Sequence, residues 1–108
     1  MENLIVNTEE QVGLETVIGG GNPAQAQNHY ETALELEQQG NRIGAIEELR
    51  QAVACGTEQN HKFKLAYLLD LVGEESEAVE LYEELASAEL PHINALINLS
   101  VIYEDRGN

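Results

Sequence analysis

Apolar and small side chains recur at helical spacing along most of this chain. From residue 23 to residue 107 they fall three or four residues apart, which places them on one face of successive amphipathic helices. Glycines at positions 40, 73 and 107 interrupt this pattern at intervals of 33 and 34 residues. Because glycine enters the left-handed conformation at little cost, each of these glycines predicts a turn at the end of a helix.

The interrupted pattern predicts an all-α domain of five helices. Alanine, leucine and glutamate dominate the chain while aromatic residues make up only 5%, and this usage favours helix over sheet. Asn22 and Pro23 have the side chains preferred at the N-cap and first position of a helix. The predicted helices lie over 23–39, between Gly40 and Gly56, from Thr57 to Gly73, over 75–87 and from Pro91 to Gly107.

Residues 1–22 do not follow the repeat. Thr8 suits the start of a short helix, but Gly13 interrupts that segment and three glycines follow it at 19–21. We therefore expect 1–22 to form an N-terminal tail that is flexible or contains one short helix. The glycine period divides the rest into units at 23–56 and 57–90, followed at 91–108 by the first helix of a truncated third unit.

The second unit carries a distinctive set of small and large positions. Leu65 and Ala66 are adjacent in its first helix, and Ala78 precedes Tyr82 by four residues in its second helix. This spacing resembles the tetratricopeptide repeat, whose pattern is W-x2-L-G-x2-Y, then A-x3-F, then P. The other matched places hold Lys62, Leu69 and, one residue late, Pro91 in this unit; His29, Thr32, Ala33, Leu36, Ala45 and Leu49 in the first unit; and Leu96, Leu99, Ser100 and Tyr103 in the third.

The resemblance implies a right-handed α-solenoid of about two and a half helix-turn-helix units. In such a fold, the small residues Ala33, Ala66 and Ser100 allow the two helices of a hairpin to approach closely. Each hairpin then leaves an apolar face that only the next hairpin can cover. His29 and Thr32 depart from the family pattern, so the first unit is the weaker match.

The resemblance also implies a binding groove lined by the first helices, with an aromatic and aliphatic floor and acidic residues along one rim. Such a surface accepts an amphipathic helix or an extended apolar peptide with basic flanks. We expect a non-catalytic protein-interaction scaffold; alternatively, Tyr30, Phe63 and Tyr67 pack against the tail or a neighbouring hairpin and bind nothing. The predicted groove residues are Tyr30, Leu34, Glu37, Phe63, Tyr67, Asp70, Asn94, Ile97, Val101 and Glu104.

The last predicted helix suggests a second hypothesis. Its apolar residues at 96–102 point in too many directions for one neighbouring helix to cover. We therefore expect either self-association through residues 91–108 or a fragment of a longer repeat array. The run at 93–107 is also similar to segments of tetratricopeptide proteins fused to a module like the RNA polymerase α C-terminal domain, which implies a longer, transcription-linked protein.

Charge and composition restrict the partners. The chain has 20 acidic and 5 basic residues, and its net charge of -15 repels nucleic-acid phosphates and anionic lipids. We predict no direct nucleic-acid or membrane binding. Apolar runs of about 18 residues are absent from the sequence, as is an N-terminal secretion signal. The single Cys55 suits a reducing compartment, so we expect a soluble cytoplasmic protein.

The sequence contains no arrangement of residues typical of an enzyme. His29, His61 and His92 recur at 32 and 31 residues, which the repeat explains. Units stacked about 10 Å apart cannot bring these histidines within about 2 Å of one metal ion. The glycines at 19–21 lack the lysine of a phosphate-binding loop, and Cys55 has no nearby base. We predict no catalytic activity, no metal site and no cofactor.

Overall fold

The computed structural model describes residues 21–107, which form five α-helices without any strand in that part of the chain. The all-α prediction is confirmed. The predicted tail lies outside the described residues, apart from Gly21 and Asn22, and so does Asn108. The helices are α1 (Pro23–Gln38), α2 (Arg42–Cys55), α3 (Gln59–Leu71), α4 (Glu75–Ala86) and α5 (Ile93–Asp105).

Two helices end in the same hydrogen-bonded turn, built on a glycine with positive φ. Gly40 has φ of 82°, and its N–H donates to the carbonyl of Glu37 at 2.9 Å while the next N–H, of Asn41, donates to Leu36 at 2.8 Å. Gly73 has φ of 92° and forms the same pair of bonds. This is the Schellman arrangement, which satisfies the last carbonyls of a helix. The predicted glycine turns are confirmed.

The helix beginnings agree with the predicted N-cap at Asn22 and differ from the predicted starts at two other places. The side chains of Asn22 and Asn41 accept hydrogen bonds from backbone N–H groups three residues ahead, at 3.2 and 2.8 Å. The third predicted helix starts at Thr57, but α3 begins later, because its N-cap is Glu58, whose backbone is extended. Pro91 does not open α5; the cap is His92, whose Nδ1 accepts from the N–H of Ala95 at 3.2 Å.

Each helix packs mainly against the helix before it and the helix after it. Several alanines are buried in the core, among them Ala33, Ala45, Ala66 and Ala78, and they allow this close approach because they have little side-chain volume. Ser100 occupies the corresponding place on α5 but is exposed, since no helix follows α5 within residues 21–107. The larger core residues are Leu49, Leu68, Leu69 and Tyr82, which fill the space between helices.

Side-chain contacts also join helices that are not consecutive: α1 to α3, α3 to the start of α5, and α2 to α4. Tyr30 on α1 stacks on His61 at the start of α3, with ring centroids 4.4 Å apart. Phe63 on α3 stacks in the same way on His92, at 4.6 Å. The Arg50 guanidinium on α2 binds the Glu77 carboxylate on α4 through two hydrogen bonds. We call α1, α3 and α5 the first-helix row.

Among residues 21–107, no helix has both the length and the apolar character needed to cross a membrane.

Replacing the glycine of a hairpin turn should measurably lower the free energy of unfolding. No atom lies within 4 Å of a Cβ built on Gly73, so an added methyl group meets only the strain of positive φ. We expect Gly73→Ala to lower the free energy of unfolding by about 1–2 kcal/mol, and Gly73→Asn to lower it less, because asparagine tolerates the left-handed region. Urea denaturation followed by circular dichroism measures both. Equal stability of the alanine variant and wild type would contradict this account of the turn.

Candidate functional site

The predicted groove residues divide into a half-buried group and an exposed group. The half-buried side chains lie on α1 and α3, and the exposed side chains lie mostly on α5. The predicted row is therefore covered at its N-terminal end and open at its C-terminal end. Tyr30, Leu34, Glu37, Phe63 and Asp70 are half-buried, whereas Tyr67, Asn94, Ile97, Val101 and Glu104 are exposed.

Tyr30 and Phe63 are engaged in contacts between helices. Each ring stacks on the histidine at the start of the next first-row helix, and Phe63 also contacts the buried Tyr82 ring with centroids 5.9 Å apart. One face of each aromatic ring is thus taken by the fold. These two residues correspond to the predicted alternative in which the aromatic side chains pack against a neighbouring hairpin.

His92 joins α3 to α5 through both ring nitrogens. Its Nδ1 accepts from the N–H of Ala95, so the neutral ring carries its proton on Nε2. Nε2 then donates to the side-chain oxygen of Asn60 at 3.1 Å. In the sequence analysis, the repeat alone accounts for the regular spacing of the three histidines. The stacking of His61 and His92 needs contacts between residues some thirty positions apart, which no local sequence signal reveals.

Lys64 is a residue of this surface that the sequence reasoning missed. Its ammonium group lies 2.8 Å from the Glu37 carboxylate and 5.5 Å from the centre of the Tyr67 ring. An ammonium group in this position attracts both the carboxylate and the face of the aromatic ring. The structure therefore brings Glu37, Lys64 and Tyr67 together across α1 and α3, and one of the expected rim acids is partly neutralised.

The exposed apolar residues are concentrated at the C-terminal end. Eight large apolar side chains are exposed within residues 21–107, and five of them lie in or just before α5. Ile97 and Val101 are one helical turn apart and expose 55% and 50% of their surface. Tyr67 on α3 exposes 39%. The five C-terminal residues are Leu90, Ile93, Leu96, Ile97 and Val101.

The described residues offer little for metal or covalent chemistry. Within residues 21–107, no three His, Cys, Asp or Glu side chains converge to hold a metal ion. Cys55 is half-buried at the end of α2, and the nearest polar contact of its sulfur in this part of the chain is Gln25 at 4.0 Å. The absence of catalytic activity remains a prediction.

Comparisons with protein-family models, with curated proteins and with solved structures find no match to this chain. The likeness to the tetratricopeptide repeat thus remains a prediction from the residues quoted above. The fold and its surfaces have to be interpreted from the contacts alone.

His61 makes the stability of the fold depend on pH. The side chain is only 4% exposed, and its Nδ1 has no hydrogen-bond partner among the described residues. Burial lowers the pKa of His61 below its ordinary value of 6.5, and the nearby Glu58 carboxylate only partly offsets this effect. The unfolded chain therefore binds this proton more readily than the folded chain does.

We expect this histidine to destabilise the fold as pH falls through about 6.5, with the loss complete below the pKa of the folded state. His61→Phe keeps an aromatic ring against Tyr30 but cannot be protonated. Urea unfolding at about pH 7.5 and about pH 5.5 should show a smaller loss of stability in the variant than in wild type. An equal loss of stability between the two pH values in wild type and variant would show that His61 does not contribute to the pH dependence.

Proposed function

We propose that this chain is a non-catalytic protein-interaction scaffold whose helical hairpins stack as a right-handed solenoid of the tetratricopeptide type. Its units would be 23–56, 57–90 and, for the first helix of a third, 91–108. Three features support this arrangement. The glycine turns recur at 33 and 34 residues, alanines lie at matching places in the first two units, and the first-helix row is joined by two equivalent ring stacks.

The observation that carries the proposal is the open end of the first-helix row. Tyr67, Ile97 and Val101 expose apolar surface on two helices that Phe63 and His92 join. Isolated exposed apolar residues are ordinary, whereas a contiguous group of them marks a binding surface. We define Tyr67, Ile97 and Val101 as the apolar row.

The stacks of Tyr30 and Phe63 give the apolar row a fixed support. Rings held between helices lose no further rotamer freedom when a partner binds, so the surface is organised in advance. In this interpretation Tyr30 and Phe63 join each first helix to the start of the next one. The exposed residues beyond them make the contact with the partner.

The chemistry around the apolar row selects the partner. Asp70 is half-buried near the end of α3, and Glu104 is exposed on α5, so acidic groups accompany the apolar residues along the first helices. The chain as a whole carries a net charge of -15. A partner helix or extended peptide with apolar anchors and flanking lysines or arginines therefore suits this face.

Peptides selected from a random helical library against the full chain test this proposal. We expect a class of binders with apolar anchors and basic flanks whose affinity falls at least about tenfold in Ile97→Ser and in Tyr67→Ala, as truncation of central anchors does. Fluorescence anisotropy measures the affinities. Leu71→Ser is the matched control, because Leu71 is 44% exposed at the end of α3 but belongs neither to the apolar row nor to the predicted groove residues. If no binder is sensitive to either row variant, the apolar row is not a binding surface.

Self-association is a second candidate, favoured by the clustering of five exposed apolar side chains at residues 90–101. The face of α5 around Ser100 corresponds to faces of α1 and α3 that are covered at Ala33 and Ala66. A second copy that supplies its own α5 would cover this surface. This candidate and peptide binding use overlapping residues and would compete.

Light scattering after size exclusion, over a hundredfold range of concentration, checks the second candidate. We expect a dimer that dissociates on dilution, and an Ile93→Asp, Leu96→Asp variant that stays monomeric throughout, because burying charge at such an interface is costly. Circular dichroism verifies that the variant keeps its helices. A wild-type chain that is monomeric at every concentration excludes self-association as the role of this face.

A further inference from the structure

A second groove, which contains none of the residues of the apolar row, lies where the first two units meet. It has a volume of about 430 Å³ and is formed by one face of α2, the last turn of α3 and the first turn of α4. None of its lining residues belongs to the predicted first-helix groove. We call it the junction groove; it is lined by Ile43, Ile46, Glu47, Arg50, Leu69, Val72, Glu74 and Glu77.

The floor and the wall of the junction groove are held in place. Ile46 and Leu69 are buried core residues, and Val72 packs against the same core. The Arg50 guanidinium binds both carboxylate oxygens of Glu77, the longer contact being 3.0 Å. This ion pair connects α2 to α4 and neutralises the positive charge of Arg50, so the remaining carboxylates give the groove excess negative charge.

The junction between the second and third units shows whether stacking of units needs the apolar residues of the junction groove. At the junction between the second and third units, the glycine period places Ser76, Tyr103 and Arg106 where the first junction has Ile43, Leu69 and Val72. There the Tyr103 hydroxyl donates to Glu83, and Arg106 pairs with Glu75 at 3.0 Å. Polar side chains thus close the second junction. Stacking of units does not require an exposed isoleucine at position 43, which is 62% exposed.

The charges around the junction groove select its occupant. Glu47 and Glu74 are exposed and form no ion pair within residues 21–107. Two carboxylates beside an apolar floor match a partner surface in which one apolar side chain is surrounded by cationic side chains. The volume is in the range of about 300–1,000 Å³ found for ligand pockets, which is ample for one aliphatic side chain.

We propose that the junction groove is a docking surface for a partner helix that inserts one aliphatic side chain between Ile43 and Val72 while its lysines or arginines contact Glu47 and Glu74. This surface is independent of the apolar row, and one chain can hold a partner on each. The scaffold would then connect two proteins instead of presenting a single peptide.

A designed probe tests the junction groove on the full chain. The probe is a fluorescein-labelled helical peptide with one leucine at its centre and lysines three and four residues away on either side; a second probe has serine in place of the leucine. We expect the leucine probe to bind at least about tenfold more tightly than the serine probe. Ile43→Ser should remove most of that difference, and Glu47→Gln with Glu74→Gln should weaken the leucine probe at least about fivefold.

Two control variants separate this site from general attraction and from the apolar row. Glu35→Gln with Glu89→Gln makes the same change in charge at exposed positions outside the groove, and Ile97→Ser alters the apolar row. The charge control should bind the leucine probe within about twofold of wild type. In the Ile97→Ser background, where the apolar row is altered, Ile43→Ser should still remove most of the difference between the two probes. The proposal is overturned if the two probes bind equally or if neither binds. It is also overturned if Ile43→Ser binds like wild type, or if the charge control loses as much affinity as the Glu47→Gln, Glu74→Gln variant. Should Ile43→Ser fail to fold by circular dichroism, the paired glutamine variants decide.

Discussion

The distance between helices in this chain is set by alanines. Ala33 and Ala45 lie in the core of the first unit, and Ala66 and Ala78 hold the corresponding places in the second. Because an alanine side chain ends at Cβ, two helices that meet at alanines come closer than helices that meet at larger residues. The stacked rings, the buried leucines and the ion pairs between units all depend on this spacing. Ser100 is of similar size, but at this place α5 is left uncovered in the described residues.

The few basic residues are concentrated at contacts between helices. The sequence has five lysines and arginines and 20 acidic residues, and all five basic residues lie within 21–107. In that part of the chain, four of the five pair with a glutamate of another helix. Exposed ion pairs contribute little individually. In so acidic a chain, however, they also relieve repulsion between neighbouring helices. The four pairs are Arg50 with Glu77, Lys62 with Glu84, Lys64 with Glu37, and Arg106 with Glu75.

Local signals in the sequence were enough to predict the helices but not the surfaces. Gly40 and Gly73 act within one turn of their own helices, so their role follows from position and residue type alone. By contrast, the surfaces depend on which side chains meet across units. The stacking of His61 and His92, and the pairing of Lys64 with Glu37 of α1, can be seen only once the contacts between these helices are known. Periodicity identifies the buried face of a helix, but it does not identify the partner of each residue on that face.

The two hairpin turns have a consequence for how sequences of this kind can change in length. Asn41 and Glu74 each close the turn after one helix and also serve as the N-cap of the next, so neither hairpin contains a spare residue. One inserted residue there would rotate the second helix by about 100° and carry its alanine away from the contact. The connections between units, 56–58 and 87–92, already differ in length. Insertions and deletions should therefore accumulate between hairpins and be excluded within them.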